Sequence, residues 1–235
     1  MNLTLDIETL PTESAAVIAD ITAGIRPPAN LKKADTIAKW EAEEKPQAIE
    51  DAIRKTAFDG TYGRVLAIGY AVNDQAPICL IGGELETLQA FVSDLKTISK
   101  LAYHGGETEK GITFIGHNIA GFDLRFLWQR MVVNNIRPTV ELLGAMKARP
   151  WDKSIADTMT MWNPDRQSRV SLDKLCKALG VPTPKGGMDG SKVYETYKAG
   201  DLEKIRTYCM ADVDAVRECY RRLTFADPIE QRKAA

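Results

Sequence analysis

The sequence predicts an α/β protein with a mixed β-sheet flanked by α-helices. Strand patterns dominate the start of the chain, and helical and extended patterns then alternate from residue 84 onward. The 235 residues, 44% of them hydrophobic, are enough to bury one α/β domain. We therefore expect a single domain over residues 1–235, with a helical insertion at about residues 20–60.

The first half of the chain contains three predicted strands. Apolar and polar residues alternate over residues 3–8, which is strand periodicity. Residues 20–60 are polar and charge-rich, and we expect two short helices there, joined near Lys45-Pro46. Residues 64–72 and 76–81 then predict two consecutive strands, with Asn73-Asp74 supplying the turn.

The second half alternates between helices and short strands. We expect helices over residues 84–98, 121–133, 172–179 and 202–223, a strand over 112–116, an extended segment near 155–161, and a loop over 182–190. Gly180 and Pro182 stop the third of these helices.

Composition narrows the class of protein. No apolar run approaches the ~20 residues that span a bilayer, and no basic leader precedes an apolar core at the amino terminus. The four cysteines form no CxxC pair, so we expect buried free thiols in a reducing cytoplasm, without zinc or disulfides. The net charge of −1 argues against a protein that coats nucleic acid by general electrostatics.

Two carboxylates share one face of the first strand. Asp6 and Glu8 are two residues apart, so both side chains leave the same side of the strand. Such a pair repels unless it shares a proton or a cation, and oxygen ligands suit Mg²⁺ or Mn²⁺. A strand end whose acids point into solvent is the alternative.

Asp212, in the last predicted helix, is a further candidate carboxylate for a functional site. Tyr208 and Asp212 are four residues apart and border the apolar stripe that should pack on the sheet. Asp214 lies about 200° around the helix from Asp212, so it should point toward solvent. A tyrosine beside a surface acid is the alternative interpretation of Tyr208.

Asp123 follows an apolar strand and a glycine-containing bend, in the first turn of a predicted helix. An aspartate there could simply cap the helix or interact with its dipole. Its position alone does not separate that role from a functional one.

Taken together, the three segments resemble the motifs of the DEDD superfamily of 3′→5′ exonucleases, whose fold is RNase H-like. Asp6-Ile7-Glu8 matches the first motif, Asn118 with Phe122-Asp123 the second, and Tyr208-Cys209-Met210-Ala211-Asp212 the third. The chain looks most like the exonuclease domains of family B DNA polymerases and a stand-alone group of predicted exonucleases, many of them viral.

The tyrosine subtype of the superfamily is the match. The histidine subtype places a histidine five residues before the last aspartate, and that position is Thr207 here. His117 is therefore expected to be a structural or substrate-proximal residue at the end of a strand.

The resemblance implies a two-metal-ion mechanism with Mg²⁺ or Mn²⁺ bound by Asp6, Glu8, Asp123 and Asp212. It implies that Tyr208 orients the attacking water, and that Asn118 and Phe122 lie near the terminal nucleotides, although Phe122 could equally fill the core. Asp157 corresponds to an aspartate that such enzymes often carry near the site, although it could equally make a supporting hydrogen bond or lie on the surface. Lys185 and Lys192 could contact phosphates, although a solvated linker is the favoured interpretation of that loop, and Arg125 and Arg130 are expected in solvent.

Three alternatives remain open at this point. The substrate could be RNA rather than single-stranded DNA, because the same metal chemistry acts on both. The chain could be a catalytically inactive nucleic-acid-binding module. The insertion at residues 20–60 could also dock a replication or repair protein, a role compatible with nuclease activity.

Overall fold

The computed structural model describes residues 1–104, 111–149, 152–164, 168–183 and 188–226. These residues form two compact units. One unit is Thr9–Arg64, and the other comprises Met1–Glu8 and the described residues of Val65–Ala235.

A five-stranded mixed sheet forms the centre of the larger unit. Its strands are β1 (Asn2–Leu10), β2 (Arg64–Val72), β3 (Ile78–Ile81), β4 (Thr113–Gly116) and β5 (Ile155–Asp157), in the order β3-β2-β1-β4-β5. β4 is parallel to both β1 and β5, and β3 is antiparallel to β2. The carboxyl ends of β1, β4 and β5 therefore meet at one edge of the sheet, where ligand sites of such sheets lie. The predicted α/β class is confirmed.

Ten α-helices belong to the part of the chain that the structure describes. They are α1 (Ala15–Gly24), α2 (Ala34–Glu43), α3 (Lys45–Lys55), α4 (Glu84–His104), α5 (Asp123–Val133), α6 (Val140–Met146), α7 (Thr158–Trp162), α8 (Leu172–Leu179), α9 (Val193–Lys198) and α10 (Leu202–Leu223). Two 3-10 turns, Thr56–Phe58 and Gly190–Lys192, complete the set. None of these helices is long and apolar enough to cross a membrane.

The smaller unit contains more helix than we expected. The two predicted helices are α2 and α3, which join next to Lys45, and α1 is an additional helix. It begins soon after β1, where Ser14 caps it by accepting a hydrogen bond from the Val17 amide. α1 buries none of its residues. Val17, Ile18 and Ile21 form only a short, half-buried apolar stripe, which is a weak signal of a helix in the sequence.

The two faces of β1 serve different purposes. Leu3, Leu5 and Ile7 are at most 5% exposed and join the main core with residues of α4 and α5. Asp6 and Glu8 leave the opposite face, where the Cys209 thiol of α10 lies 3.9 Å from the Asp6 carboxylate. The apolar residues thus anchor the strand that carries both acids.

A buried ion pair holds α5 to α4. The Arg130 guanidinium donates to both carboxylate oxygens of Glu84 at 2.8 Å, and the Val65 amide and the Asn134 side chain donate to the same carboxylate. Burial raises the pKa of Glu84, but these donors outweigh it and hold that pKa below its usual 4.5. The expected solvent exposure of Arg130 is therefore wrong, whereas Arg125 is exposed.

Gly69 allows α10 to approach the sheet closely. A Cβ atom at this position of β2 would lie 2.7 Å from Cys209 Sγ, 3.1 Å from Val213 Cγ2 and 3.2 Å from the Cys209 carbonyl oxygen. The last of these atoms belongs to the helix backbone, so a larger residue would have to push α10 away. The absence of a side chain at residue 69 fixes the spacing between α10 and the sheet.

We predict that Gly69→Ala lowers the free energy of unfolding by about 1–3 kcal/mol, because it overpacks this interface. Urea denaturation followed by circular dichroism measures the change. Gly144→Ala is the matched control, since a Cβ there meets nothing within 4 Å and alanine favours the helix. Equal unfolding midpoints for the two variants would contradict the close approach at Gly69.

Candidate active site

Four acidic residues from three elements gather at the carboxyl edge of the parallel strands. β1 contributes Asp6 and Glu8, the first residue of α5 is Asp123, and the middle of α10 provides Asp212. Glu8, Asp123 and Asp212 are at most 7% exposed. The fold thus brings these four acidic residues together.

Burial and like charge act together on the two acids of β1. Burial raises the pKa of Asp6 well above its ordinary value, and the neighbouring charges of Asp212, Glu8 and Asp123 add to the effect. Burial likewise raises the pKa of Glu8, followed by the charges of Asp212 and Asp123. Ionising both Asp6 and Glu8 is therefore energetically unfavourable unless a cation binds beside them.

Asp123 does not act as the N-cap of α5. Phe122 occupies the cap position and makes no side-chain capping bond. Burial raises the pKa of Asp123 to about 7, even though backbone amides of Asp123 itself and Ile7 hydrogen-bond to its carboxylate and oppose the rise. The bond to the Ile7 amide ties the start of α5 to β1 between the two other acids.

Tyr208 and Asp212 contact each other across one turn of α10. The Tyr208 hydroxyl is hydrogen-bonded to the Asp212 carboxylate, and burial together with the charges of Asp212 and Glu8 raises the pKa of Tyr208 far above its ordinary value. Tyr208 is therefore a neutral donor at neutral pH. Asp214 lies elsewhere, half-exposed and paired with Arg217, as helical phase predicts.

Sequence reasoning missed the part played by Cys209. Its thiol lies 3.9 Å from both the carbonyl oxygen and Oδ2 of Asp6, and it contacts the Cys79 thiol of β3. One ligand atom each from Asp6, Glu8 and Cys209 lie within 4.8 Å of one another. The only signal in the sequence is that Cys209 precedes Asp212 by one helical turn on the buried stripe.

Asp157 is a fifth carboxylate near the site. It caps α7 by accepting from the Met159 amide at 3.0 Å, and it accepts from the Asn118 amide at 2.9 Å. Its charge also contributes to the raised pKa of Asp123. Asp157 therefore holds the turn after β4 in place while lying within electrostatic reach of Asp123.

The side chains after β4 have mostly structural contacts. Asn118 adopts a left-handed backbone conformation (φ 62°). Its side-chain amide packs against Gly121, where an added Cβ would lie 2.5 Å from Asn118 Oδ1. Phe122 packs against Phe126 with ring centroids 5.6 Å apart. His117 contacts the Thr158 hydroxyl at 2.9 Å and the Val170 carbonyl at 2.8 Å, so neither ring nitrogen is free to act as a base.

The loop before α9 is only partly within the described residues, and Lys185 lies outside them. Lys192 is exposed on the surface, 4.0 Å from the Asp189 carboxylate. An ion pair of this kind contributes little to stability.

A cavity of about 960 Å³ opens beside the site. Asp157 lines it together with Ala120 from the turn after β4 and Tyr220 from α10. Its volume lies within the range usual for ligand pockets. The cavity is therefore large enough to hold a small ligand beside Asp157.

The chain resembles known proteins in sequence and in fold. Residues 60–226 match the family described as predicted 3′-5′ exonucleases related to the exonuclease domain of PolB. No curated protein matches the sequence. Among solved structures, the family B DNA polymerase of the hyperthermophilic archaeon Pyrobaculum calidifontis matches with a TM-score of 0.58 and 14% sequence identity.

That structural match covers 95% of this chain and 24% of the polymerase chain. The chain thus spans about a quarter of the length of that polymerase. At this identity the likeness shows the fold alone, and it confirms the predicted RNase H-like arrangement of the mixed sheet.

The raised pKa values predict how stability depends on pH in the absence of divalent cations. The pKa of Asp123 is about 7 in the folded protein, against its ordinary value of 3.8. The folded state therefore binds more protons than the unfolded state between these values, and stability must fall as pH rises through that window. We expect the melting temperature in EDTA to be at least about 3 °C lower at pH 8 than at pH 5.

Asp123→Asn should flatten this dependence, because asparagine has no proton to lose. Asp214→Asn is the control, since Asp214 lies outside the site beside Arg217. An unchanged pH profile in Asp123→Asn, measured by differential scanning fluorimetry, would show that Asp123 does not carry the effect.

Proposed function

Because this chain belongs to the family of predicted 3′-5′ exonucleases related to the exonuclease domain of PolB, we propose that it removes nucleoside 5′-monophosphates from the 3′ end of single-stranded DNA. The observation that carries the proposal is that Asp6, Glu8, Asp123 and Asp212 lie within electrostatic reach of one another, with the Tyr208 hydroxyl hydrogen-bonded to Asp212. We further propose one exonuclease domain over residues 1–235, in which Thr9–Arg64 is an insertion.

The donor set fits two divalent metal ions. The carboxyl groups of Asp6, Glu8 and Asp123, whose pKa values are raised by burial and by neighbouring charges, would have to take up protons at neutral pH, or else share cations. Carboxylate oxygens are the ligands that Mg²⁺ and Mn²⁺ prefer. When bound, the two ions would acidify a water molecule and stabilise the negative charge on the leaving oxygen.

Each acidic residue would have its own share in holding the ions. Asp6, which interacts electrostatically with the three other acids, is the residue suited to contribute to both. Glu8 and Asp212 would hold the ion next to the attacking water. Asp123, on the α5 side of β1, would serve the second ion.

Tyr208 would position the nucleophile. Its hydroxyl keeps its proton at neutral pH and already donates to Asp212. A neutral hydroxyl in that place can hydrogen-bond to a water molecule near the scissile phosphate and fix its direction of attack. It need not remove a proton itself.

The substrate contacts follow from the turn after β4. Asn118 lies five residues before Asp123 and Phe122 directly before it, and both are partly exposed. We propose that they contact the terminal nucleotides, with the cavity at Asp157 available for a base or sugar. The insertion at residues 20–60 is proposed as a docking segment for a replication or repair protein.

The first prediction for this function concerns the carboxylates. Asp6→Ala and Asp212→Ala should each abolish stepwise shortening of a 5′-labelled single strand in Mg²⁺ or Mn²⁺, and EDTA should abolish it in the wild type. Asp214→Ala, on the same helix, should cleave like the wild type. Full Mg²⁺-dependent cleavage by Asp6→Ala, or products that do not shorten from the 3′ end, would contradict the proposal.

The second prediction concerns Tyr208. Tyr208→Phe keeps the ring and removes only the hydroxyl, so kcat should fall about 100-fold while KM stays within a few fold. Single-turnover digestion measures the chemical step. A variant that cleaves as fast as the wild type would remove Tyr208 from the mechanism.

A direct comparison of DNA and RNA substrates tests whether the enzyme prefers deoxyribose or ribose. Single-stranded DNA and RNA of the same sequence should be digested side by side under identical salt and metal concentrations. Faster shortening of the DNA strand supports the proposed substrate. Faster shortening of the RNA strand would assign an exoribonuclease instead.

A further inference from the structure

A thiol lies among the oxygen ligands of the site. Cys209 Sγ, a carboxylate oxygen of Asp6 and one of Glu8 lie within 4.8 Å of one another. Cys209 is fully buried, and its nearest carboxylate oxygen is Asp6 Oδ2 at 3.9 Å. One soft sulfur ligand and two hard oxygen ligands thus face a common point.

The fold fixes the position of this thiol. Gly69 provides the space that Cys209 Sγ occupies against β2, because any Cβ there would lie 2.7 Å from the sulfur. The Cys79 thiol of β3, the strand partner of Gly69, also contacts Cys209. Cys209 is therefore held beside the acids of β1 by backbone geometry, and not by a flexible side chain.

A mixed set of this kind discriminates between classes of cation. Mg²⁺ and Mn²⁺ bind oxygen and gain little from a thiol. Zn²⁺ and Cd²⁺ form strong bonds to cysteine sulfur and also accept carboxylate oxygen, in a coordination shell that tolerates three protein ligands. The exonuclease reaction has no need of a sulfur ligand, so Cys209 points to a second metal chemistry.

We propose that Asp6, Glu8 and Cys209 form a binding site for a thiophilic divalent cation of the Zn²⁺ class, and that its occupation inhibits the nuclease. The inhibition rests on the proposed function, because it follows from the capture of Asp6 and Glu8. The binding does not rest on it. The Cys209 thiol gives up its proton to solvent as the metal–sulfur bond forms, and no group is oxidised or reduced.

The other pair of thiols provides the comparison. Cys176 and Cys219 are also buried, with their sulfurs 3.6 Å apart. Among the described residues, the group of side chains close enough together to bind a metal ion includes Cys209 but neither Cys176 nor Cys219. Loss of Cys219 should therefore leave the zinc site intact, which makes it a matched control for a buried cysteine.

Metal binding is tested first, without a substrate. CdCl₂ is titrated into reduced protein, and the ultraviolet absorbance of the Cd²⁺–thiolate bond is followed, with ZnCl₂ as competitor. We expect one such bond per chain in the wild type and in Cys219→Ser, and none in Cys209→Ser. Cys79→Ser should keep the bond, because Cys79 contacts Cys209 without belonging to the cluster. Equal absorbance in Cys209→Ser and the wild type would overturn the site.

Inhibition is tested second, on digestion of single-stranded DNA at fixed Mg²⁺. Each variant is compared with its own zinc-free rate, so any change in basal activity cancels. The zinc concentration that halves the rate should rise at least about tenfold in Cys209→Ser and stay unchanged in Cys219→Ser. Equal zinc sensitivity in all variants would overturn the inhibition.

The two failures can be told apart. A wild type that forms the Cd²⁺–thiolate bond but never digests DNA would contradict the proposed function and leave the metal site standing. A wild type that digests DNA but forms no Cd²⁺–thiolate bond would contradict the metal site and leave the proposed function standing. Thermal melting of each variant in EDTA verifies that it is folded before either assay.

Discussion

The central physical constraint on this molecule is the mutual repulsion of four carboxylates in a space that excludes most water. Burial is the largest contribution to the raised pKa values of Asp6, Glu8 and Asp123, and their like charges add to it. A fold that only had to be stable would not gather these groups, because apolar residues of similar size would fit the same space at lower cost. Bound cations would offset the repulsion among the four carboxylates, and we therefore assign divalent cations to this site.

The surrounding structure resists this repulsion by fixing the backbone on which the acids stand. The apolar face of β1 anchors Asp6 and Glu8 through Leu3, Leu5 and Ile7. Gly69 sets the distance of α10 from the sheet. The buried Glu84–Arg130 pair joins α5, which begins at Asp123, to α4. Each acid therefore stands on an element whose position the core determines, and preorganisation of this kind is what electrostatic catalysis requires.

Residue patterns and the resemblance to the exonuclease motifs together predicted much of this arrangement, with Asp123 depending on the resemblance. β2, α8 and α10 have the predicted bounds because apolar periodicity and clear stop signals mark them. Helical phase separated Asp212 from Asp214. Arg130 could not be predicted as buried, because its partner Glu84 is 46 residues away in sequence and only the fold joins them. The same holds for Cys209, whose closeness to Asp6 depends on Gly69 in a strand far away in sequence.

The claim that cations relieve the repulsion among the four acids can be tested by measuring stability against metal concentration. At pH 8, titration with MnCl₂ should raise the free energy of unfolding, by about 2.7 kcal/mol for each bound ion when the free ion reaches one hundred times its dissociation constant. The double variant Asp6→Asn/Asp212→Asn should be more stable than the wild type in EDTA and should gain little from Mn²⁺. A wild type that Mn²⁺ does not stabilise, or a double variant that gains as much as the wild type, would contradict the account.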